Sequence, residues 1–239
     1  MNISIVIPAF NEEKRIKKSL INIANYCKNN FKKYEIIVVD DASTDKTHKI
    51  ISKLKIKNLK VLRNYMNKGK GYSVKRGILE SKYSLVLFTD SDLAIPINHL
   101  EKFIKYIECG YHIVIASKYI KGSHSDTKQS FYRIFIGKIF SLIVNLFVLK
   151  GFKDTQCGFK LFKTDIAKKI VKLQTCDRFA FDVELLLIAK KIGIKIKEAP
   201  VNWINEKGTR VHPIYDSIEM LIEVIKFKIN DLRGNYNLK

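Results

Sequence analysis

A chain of 239 residues with 46% hydrophobic content can bury one sizeable core, and only four prolines argue against long disordered linkers. Its 44 Lys+Arg against 23 Asp+Glu give a net charge of +21, a field that favours nucleic acid, acidic membrane surfaces or phosphorylated substrates. Lysines are spread through every segment, and no zinc pattern, RNA signature or helix-turn-helix can be isolated, which disfavours a nucleic-acid-binding protein.

The chain opens directly on "ISIVIPAF" (3–10), an apolar, β-rich run of the length of a buried parallel strand. No basic n-region or cleavage site precedes it, so no signal peptide is expected. "NEEKRIKKSLINIANYCKNN" (11–30) predicts a helix, with Ile16, Leu20, Ile23 and Ala24 at helical spacing. Asn11 is its expected cap, and Glu12 and Glu13 suit the positive helix start. A second buried strand, "YEIIVVDDAS" (34–43), ends in acid, "STDKTHKIISKL" (43–54) reads as a helix, and "LKVLRN" (59–64) as a third strand. "KGKGYSVKRGILESK" (68–82) is a glycine-loosened loop running into a helix. "YSLVLFTDSD" (83–92), "INHLEKFIKYIEC" (97–109) and "YHIVIASKYI" (111–120) continue as strand, helix, strand.

Such alternation implies a mostly parallel sheet flanked by helices, with ligands at the carboxyl ends of its strands. Those ends carry Asn11 and Glu12, Asp40 and Asp41, Asp90 and Asp92, Ser117 and Lys118. Further on, "FYRIFIGKIFSLIVNLFVLKGFK" (131–153) is strongly apolar, with Arg133, Lys138, Lys150 and Lys153 as its charges. Its uninterrupted stretch is too short to span a bilayer. An interfacial amphipathic helix or a helix packed on the sheet would each account for it. "FAFDVELLLIAKKIG" (179–193) reads as a helix, "IKIKEAPVNW" (194–203) as a strand and "DSIEMLIEVIKFKINDLR" (216–233) as a closing amphipathic helix. Cys27, Cys109, Cys157 and Cys176 are widely spaced without a C-x-x-C pair, as expected of reduced thiols in the cytosol.

The tripeptide "DSD" (90–92) sets two carboxylates at i and i+2 of an extended segment, on one side of the chain. A divalent cation would relieve their repulsion, although a chance acidic turn would look similar. The order of "IVIPAFNEE", "IIVVDDASTDKT", "NKGKGYSVKRGI", "TDSDL", "SKYIKGS", "DTQCGFKLF", "RFAFDVELL" and "PVNW…KGTR" decides between them. Together they resemble the family-two inverting glycosyltransferases of the GT-A fold, and the later segments look most like members that transfer a hexose to dolichyl or polyprenyl phosphate.

This resemblance implies one catalytic domain over 1–239, with a nucleotide-sugar-binding half (1–120) and an acceptor- and membrane-facing half (121–239). It implies Mg²⁺ or Mn²⁺ at Asp90 and Asp92, with Asp92 a direct ligand and Asp90 facing either the ribose or a metal-bound water. Pro8, Ala9, Phe10 and Glu12 would line the base and ribose with Asp40 and Asp41. Lys70, Thr89, Ser91 and Arg210 would complete the donor site. Lys118, Lys153 and Cys157 match the acceptor-phosphate positions. Asp182 is the candidate for hydrogen bonding the sugar or, less favoured, for activating an acceptor. The expected reaction moves glucose from UDP-glucose to a polyprenyl phosphate at the cytoplasmic face of a membrane. Mannose from GDP-mannose, or transfer to a glycan hydroxyl, is the enzymatic alternative. Oligomeric state is not legible.

Overall fold

The computed structural model describes residues 1–125, 144–145, 148–204 and 215–237. The first half alternates as the periodicity predicts: β1 (Asn2–Ala9), α1 (Ile16–Asn30), β2 (Lys33–Asp40), α2 (Thr47–Lys53), β3 (Leu59–Arg63), α3 (Lys70–Glu80), β4 (Leu85–Thr89), α4 (His99–Glu108) and β5 (Ile113–Ser117). Then come β6 (His124–Ser125), β7 (Phe159–Lys163), α5 (Thr164–Leu173), α6 (Phe181–Lys191), β8 (Ile196–Pro200), β9 (Asn202–Trp203) and α7 (Tyr215–Leu232). Most of the apolar 131–153 segment, with Arg133 and Lys138, lies outside the described residues.

Seven strands form one sheet in the order β3-β2-β1-β4-β7-β5-β8, and β6 pairs with β9 alongside. Every neighbouring pair is parallel except those of β7, which runs antiparallel to both β4 and β5. The expected mostly parallel α/β sheet is therefore present, with one antiparallel strand set into it.

Both faces are covered, as alternating side chains on a buried strand require. On β1, Ile3, Ile5 and Ile7 enter the core beneath α1 and α4, while Val6 enters the core beneath α3, α5 and α6. On β7, Phe159 and Leu161 point to the first core and Phe162 to the second. The same alternation puts Lys160 inward beside Phe162, where it is wholly buried. "FKLFK" therefore does not read as a buried strand, and the chain's pattern conceals this element.

One local expectation is corrected. Helix α1 begins at Ile16, after a turn in which the Glu12 carbonyl accepts the Arg15 and Ile16 amides. Asn11 is not its cap. It sits at φ 55°, and its Oδ1 accepts the Thr44 and Asp45 amides, tying the β1 and β2 ends together.

Candidate active site

Parallel pairing of β1, β2 and β4 sets Ala9 beside Asp40 and brings Asp90 and Asp92 to the same edge of the sheet. Antiparallel β7 closes the other side, because pairing Thr89 with Phe159 leaves Gly158 against Asp90. The Asp90 amide donates to the Gly158 carbonyl at 3.1 Å. A Cβ on Gly158 would stand 2.0 Å from Asp90 Oδ2, so only glycine leaves that carboxylate its position.

Asp90 Oδ1 pairs with Lys70 Nζ at 2.7 Å. Burial works against the Lys70 charge, but Asp90, Asp182 and Asp92 together outweigh it and hold its pKa above the ordinary value. Behind them lies a second pair: Lys160 Nζ donates to Asp182 Oδ1 and to the Cys157 carbonyl, and both side chains are buried. Burial pushes the Asp182 carboxyl up, against the pull of Lys160 and Lys70. Lys70 and Lys160 both lie within 6 Å of the Phe88 ring. Charges alternate inward from the cleft: Asp90, Lys70, Asp182, Lys160.

Asp92 Oδ1 accepts the Ala94 amide at 3.0 Å, and its Oδ2 lies 3.9 Å from Arg15 Nη1. Arg15 forms a bidentate pair with Glu12, both contacts at 2.8 Å. Burial and the nearby Asp90 charge push the Asp92 carboxyl above the usual range. Two crowded carboxylates whose charges disfavour one another are a fitting seat for a hard divalent cation. Among the described residues no cluster of three or more His, Cys, Asp or Glu surrounds a common point. Sites that bind Mg²⁺ together with a substrate phosphate use one or two carboxylates in this way, with phosphate and water among the other ligands.

Pro8 and Ala9 end β1 buried, with Phe10 half-buried beyond them, and Thr89 and Ser91 flank Asp90. Asp40 lies between His48 Nδ1 (3.1 Å) and Arg63 Nε (3.3 Å) and accepts the Ser43 amide. Asp41 accepts the Asn64 side chain and the Lys68 and Gly69 amides, at 2.6, 2.9 and 2.8 Å. It thus shapes the glycine loop that presents Lys70. Arg210 lies outside the described residues.

Asp182 and Glu184, two apart on α6, diverge as helical geometry requires. Glu184 turns away, accepting the Thr175 and Cys176 amides and the Tyr236 hydroxyl. It holds the 174–177 loop, whose Asp177 carbonyl accepts the Tyr72 amide at the start of α3.

Beside Asp90, a cavity of about 90 Å³ is lined by Thr89, Asp90, Lys118, Gln156, Cys157 and Trp203, among others. Lys118 Nζ lies 5.3 Å from the centre of the Trp203 ring, and its amide donates to buried Asp154. Lys153 is exposed at the start of the same loop, where its amide and that of Asp154 donate to Glu198. Burial pushes the Cys157 thiol up, which leaves it a neutral wall.

Sequence reading did not single out Arg15, Gly158, Lys160 or Trp203. The lysine between phenylalanines in "FKLF" becomes a signal only once the structure shows it buried, since an unpaired charge is not tolerated there.

A sequence model of Glycosyl transferase family 2 matches residues 4–171. The chain is 35% identical over 251 residues to the dolichyl-phosphate beta-glucosyltransferase of Dictyostelium discoideum, covering 99% of this chain and 77% of that one. Against the protein of the same name from Mus musculus it is 32% identical over 252 residues, covering 99% and 78%. Its fold matches a Mycobacterium tuberculosis glucosyl-3-phosphoglycerate synthase solved with Mn²⁺, uridine-diphosphate-glucose and phosphoglyceric acid. That match has a TM-score of 0.65 at 18% identity and covers 100% of this chain and 80% of the other, a likeness of fold.

Proposed function

The chain belongs to glycosyl transferase family 2, and we propose that it transfers glucose from UDP-glucose to dolichyl or polyprenyl phosphate, inverting the anomeric carbon. The observation that carries this reading is the cavity whose wall holds both Asp90 and Lys118. It sets a carboxylate suited to a cation-bound diphosphate across from a cation suited to an acceptor phosphate.

In this reading Asp92, with Asp90 beside it, holds Mg²⁺ or Mn²⁺. Held there, such a cation would supply Lewis-acid neutralisation of the charge gathering on the departing nucleoside diphosphate. Lys70 keeps Asp90 in place, and the Lys160–Asp182 pair supports Lys70 from behind. Pro8, Ala9, Phe10, Glu12, Asp40, Asp41, Thr89 and Ser91 form or brace the nucleotide side, with Arg210 gripping the diphosphate from beyond. Lys118 and Lys153 bind the acceptor phosphate, beside Cys157. One phosphate oxygen attacks the anomeric carbon as the bond to the donor's diphosphate breaks, and the electron pair leaves with that diphosphate. The acceptor is already anionic, so no residue has to remove a proton. Residues 1–120 supply most of the donor side and 121–239 most of the acceptor side, with Lys118 and Arg210 each serving the other half, at the cytoplasmic face of a membrane. None of the helices in the described residues is long and apolar enough to cross a bilayer.

A panel of UDP- and GDP-sugars with dolichyl phosphate tests the assignment. UDP-glucose should give a β-linked glucosyl phospholipid, EDTA should abolish the product, and Mn²⁺ or Mg²⁺ should restore it. Lys118→Ala should raise KM for the lipid phosphate about 10- to 150-fold with little change for the nucleotide sugar. A preference for GDP-mannose would change the sugar. Transfer to a glycan hydroxyl with Lys118 dispensable would overturn the acceptor.

A further inference from the structure

Helix α7 carries the most exposed apolar stripe among the described residues. Ile218, Ile222, Ile225, Ile229 and Leu232 are 55%, 50%, 62%, 42% and 75% exposed. Their alternating four- and three-residue spacing lines them along one face over the whole helix. Met220, Val224 and Phe227, on the opposite face, are buried in the core. Singly exposed isoleucines need no account, but a continuous row of five marks an interaction surface.

Two observations choose its occupant. By helical rotation, Lys228 borders the stripe on one side and Lys226 and Arg233 on the other. Glu219, Glu223 and Asp231 fall further round, toward the protein, where they pair with Arg178, Lys226 and Lys191. An apolar face edged by basic residues is the pattern of a helix lying in a lipid interface. A second copy is disfavoured, because packing stripe on stripe would bring these borders together between chains of +21 each. Secondly, the protein-facing side of the same helix reaches the acceptor loop: Met220 Sδ lies 3.0 Å from Gln156 Nε2, between Lys153 and Cys157.

We infer that α7 docks this protein on an anionic lipid surface through Ile218, Ile222, Ile225, Ile229 and Leu232. The inference rests on the lipid-linked acceptor proposed above. It adds the surface that presents the loop to the lipid: α7, with a helix diameter of roughly 10 Å, stands between the docked face and Gln156, which lines the cavity. An acceptor phosphate could then be gripped by Lys118 and Lys153 while its chain stays in the bilayer.

Flotation of the full chain with vesicles lacking any polyprenyl phosphate tests the surface separately from the reaction. Phosphatidylcholine vesicles with phosphatidylserine should carry the protein upward, less so at high salt, and pure phosphatidylcholine should carry much less. Ile222→Ser with Ile225→Ser should lower partitioning about tenfold or more. Turnover of a short-chain polyprenyl phosphate dispersed in detergent should be unchanged. Equal flotation of variant and parent would overturn the inference. So would a parent that binds no vesicle, or a parent dimer that the double substitution dissociates. Salt-sensitive flotation lost in the variant, with neither protein glycosylating the short-chain lipid, would uphold the docking surface and overturn the acceptor.

Discussion

Asp90 is held at the end of β4 by contacts that arrive from two other segments: Lys70 from α3 and the Gly158 carbonyl from the β7 approach. Two substitutions separate this geometry from stability. Gly158→Ala would press a methyl group onto a short carboxylate side chain that can rotate away. We expect turnover to fall by orders of magnitude while the urea midpoint moves little, measured on the same preparation. Lys160→Met would instead leave buried Asp182 without the cation that hydrogen-bonds it, a loss of about 3–5 kcal/mol in urea unfolding. Adding Asp182→Leu removes the carboxylate and should recover most of the stability, since buried ion pairs are commonly replaceable by apolar groups. Turnover should stay low in the double variant, because Lys70 has lost its inner carboxylate. Recovery of both together would mean that the pair has no part in positioning Lys70.

At the scale of elements, α3 presents Lys70 only because its first turn lies almost against the 174–178 loop. A Cβ on Gly71 would meet the Cys176 carbonyl oxygen at 2.6 Å, Phe181 Cβ at 2.7 Å and the Arg178 carbonyl oxygen at 2.9 Å. These are backbone and core atoms that cannot turn aside. Gly71→Ala should therefore cost about 1–3 kcal/mol, the usual penalty of overpacking, and lower Tm by several degrees. The loop is itself clamped by Glu184 through the Thr175 and Cys176 amides. Unchanged Tm would mean that the loop yields, and that α3 is not anchored there.

For the whole molecule, two cores on either side of one sheet enclose three of the four cysteines. Burial pushes the Cys27 and Cys176 thiols up to about 12, and Cys157 rises for the same cause. Groups raised so far stay protonated across the neutral range, so little thiolate is present to react. Cys109, exposed at the end of α4, is the exception. N-ethylmaleimide at neutral pH should add once to the folded protein and four times in denaturant, read by intact mass. More than one rapid native adduct would show that a core opens locally.

Strand and helix order through β5, the acidic strand ends and the D-x-D pair were legible in the chain. Each is a local signal, carried by a period of two or of 3.6 residues or by the chemistry of a strand's last positions. Four determinants of the site were not: antiparallel β7, Gly158 against Asp90, the Lys160–Asp182 pair and the Arg15 link between Glu12 and Asp92. All but that last link depend on β7 inserting between β4 and β5, a long-range pairing that no local periodicity encodes. Lys160 and Phe162 show the limit most directly. Side by side on one face of β7, they read as a surface lysine and a core aromatic, until packing against Phe88 and Asp182 buries both.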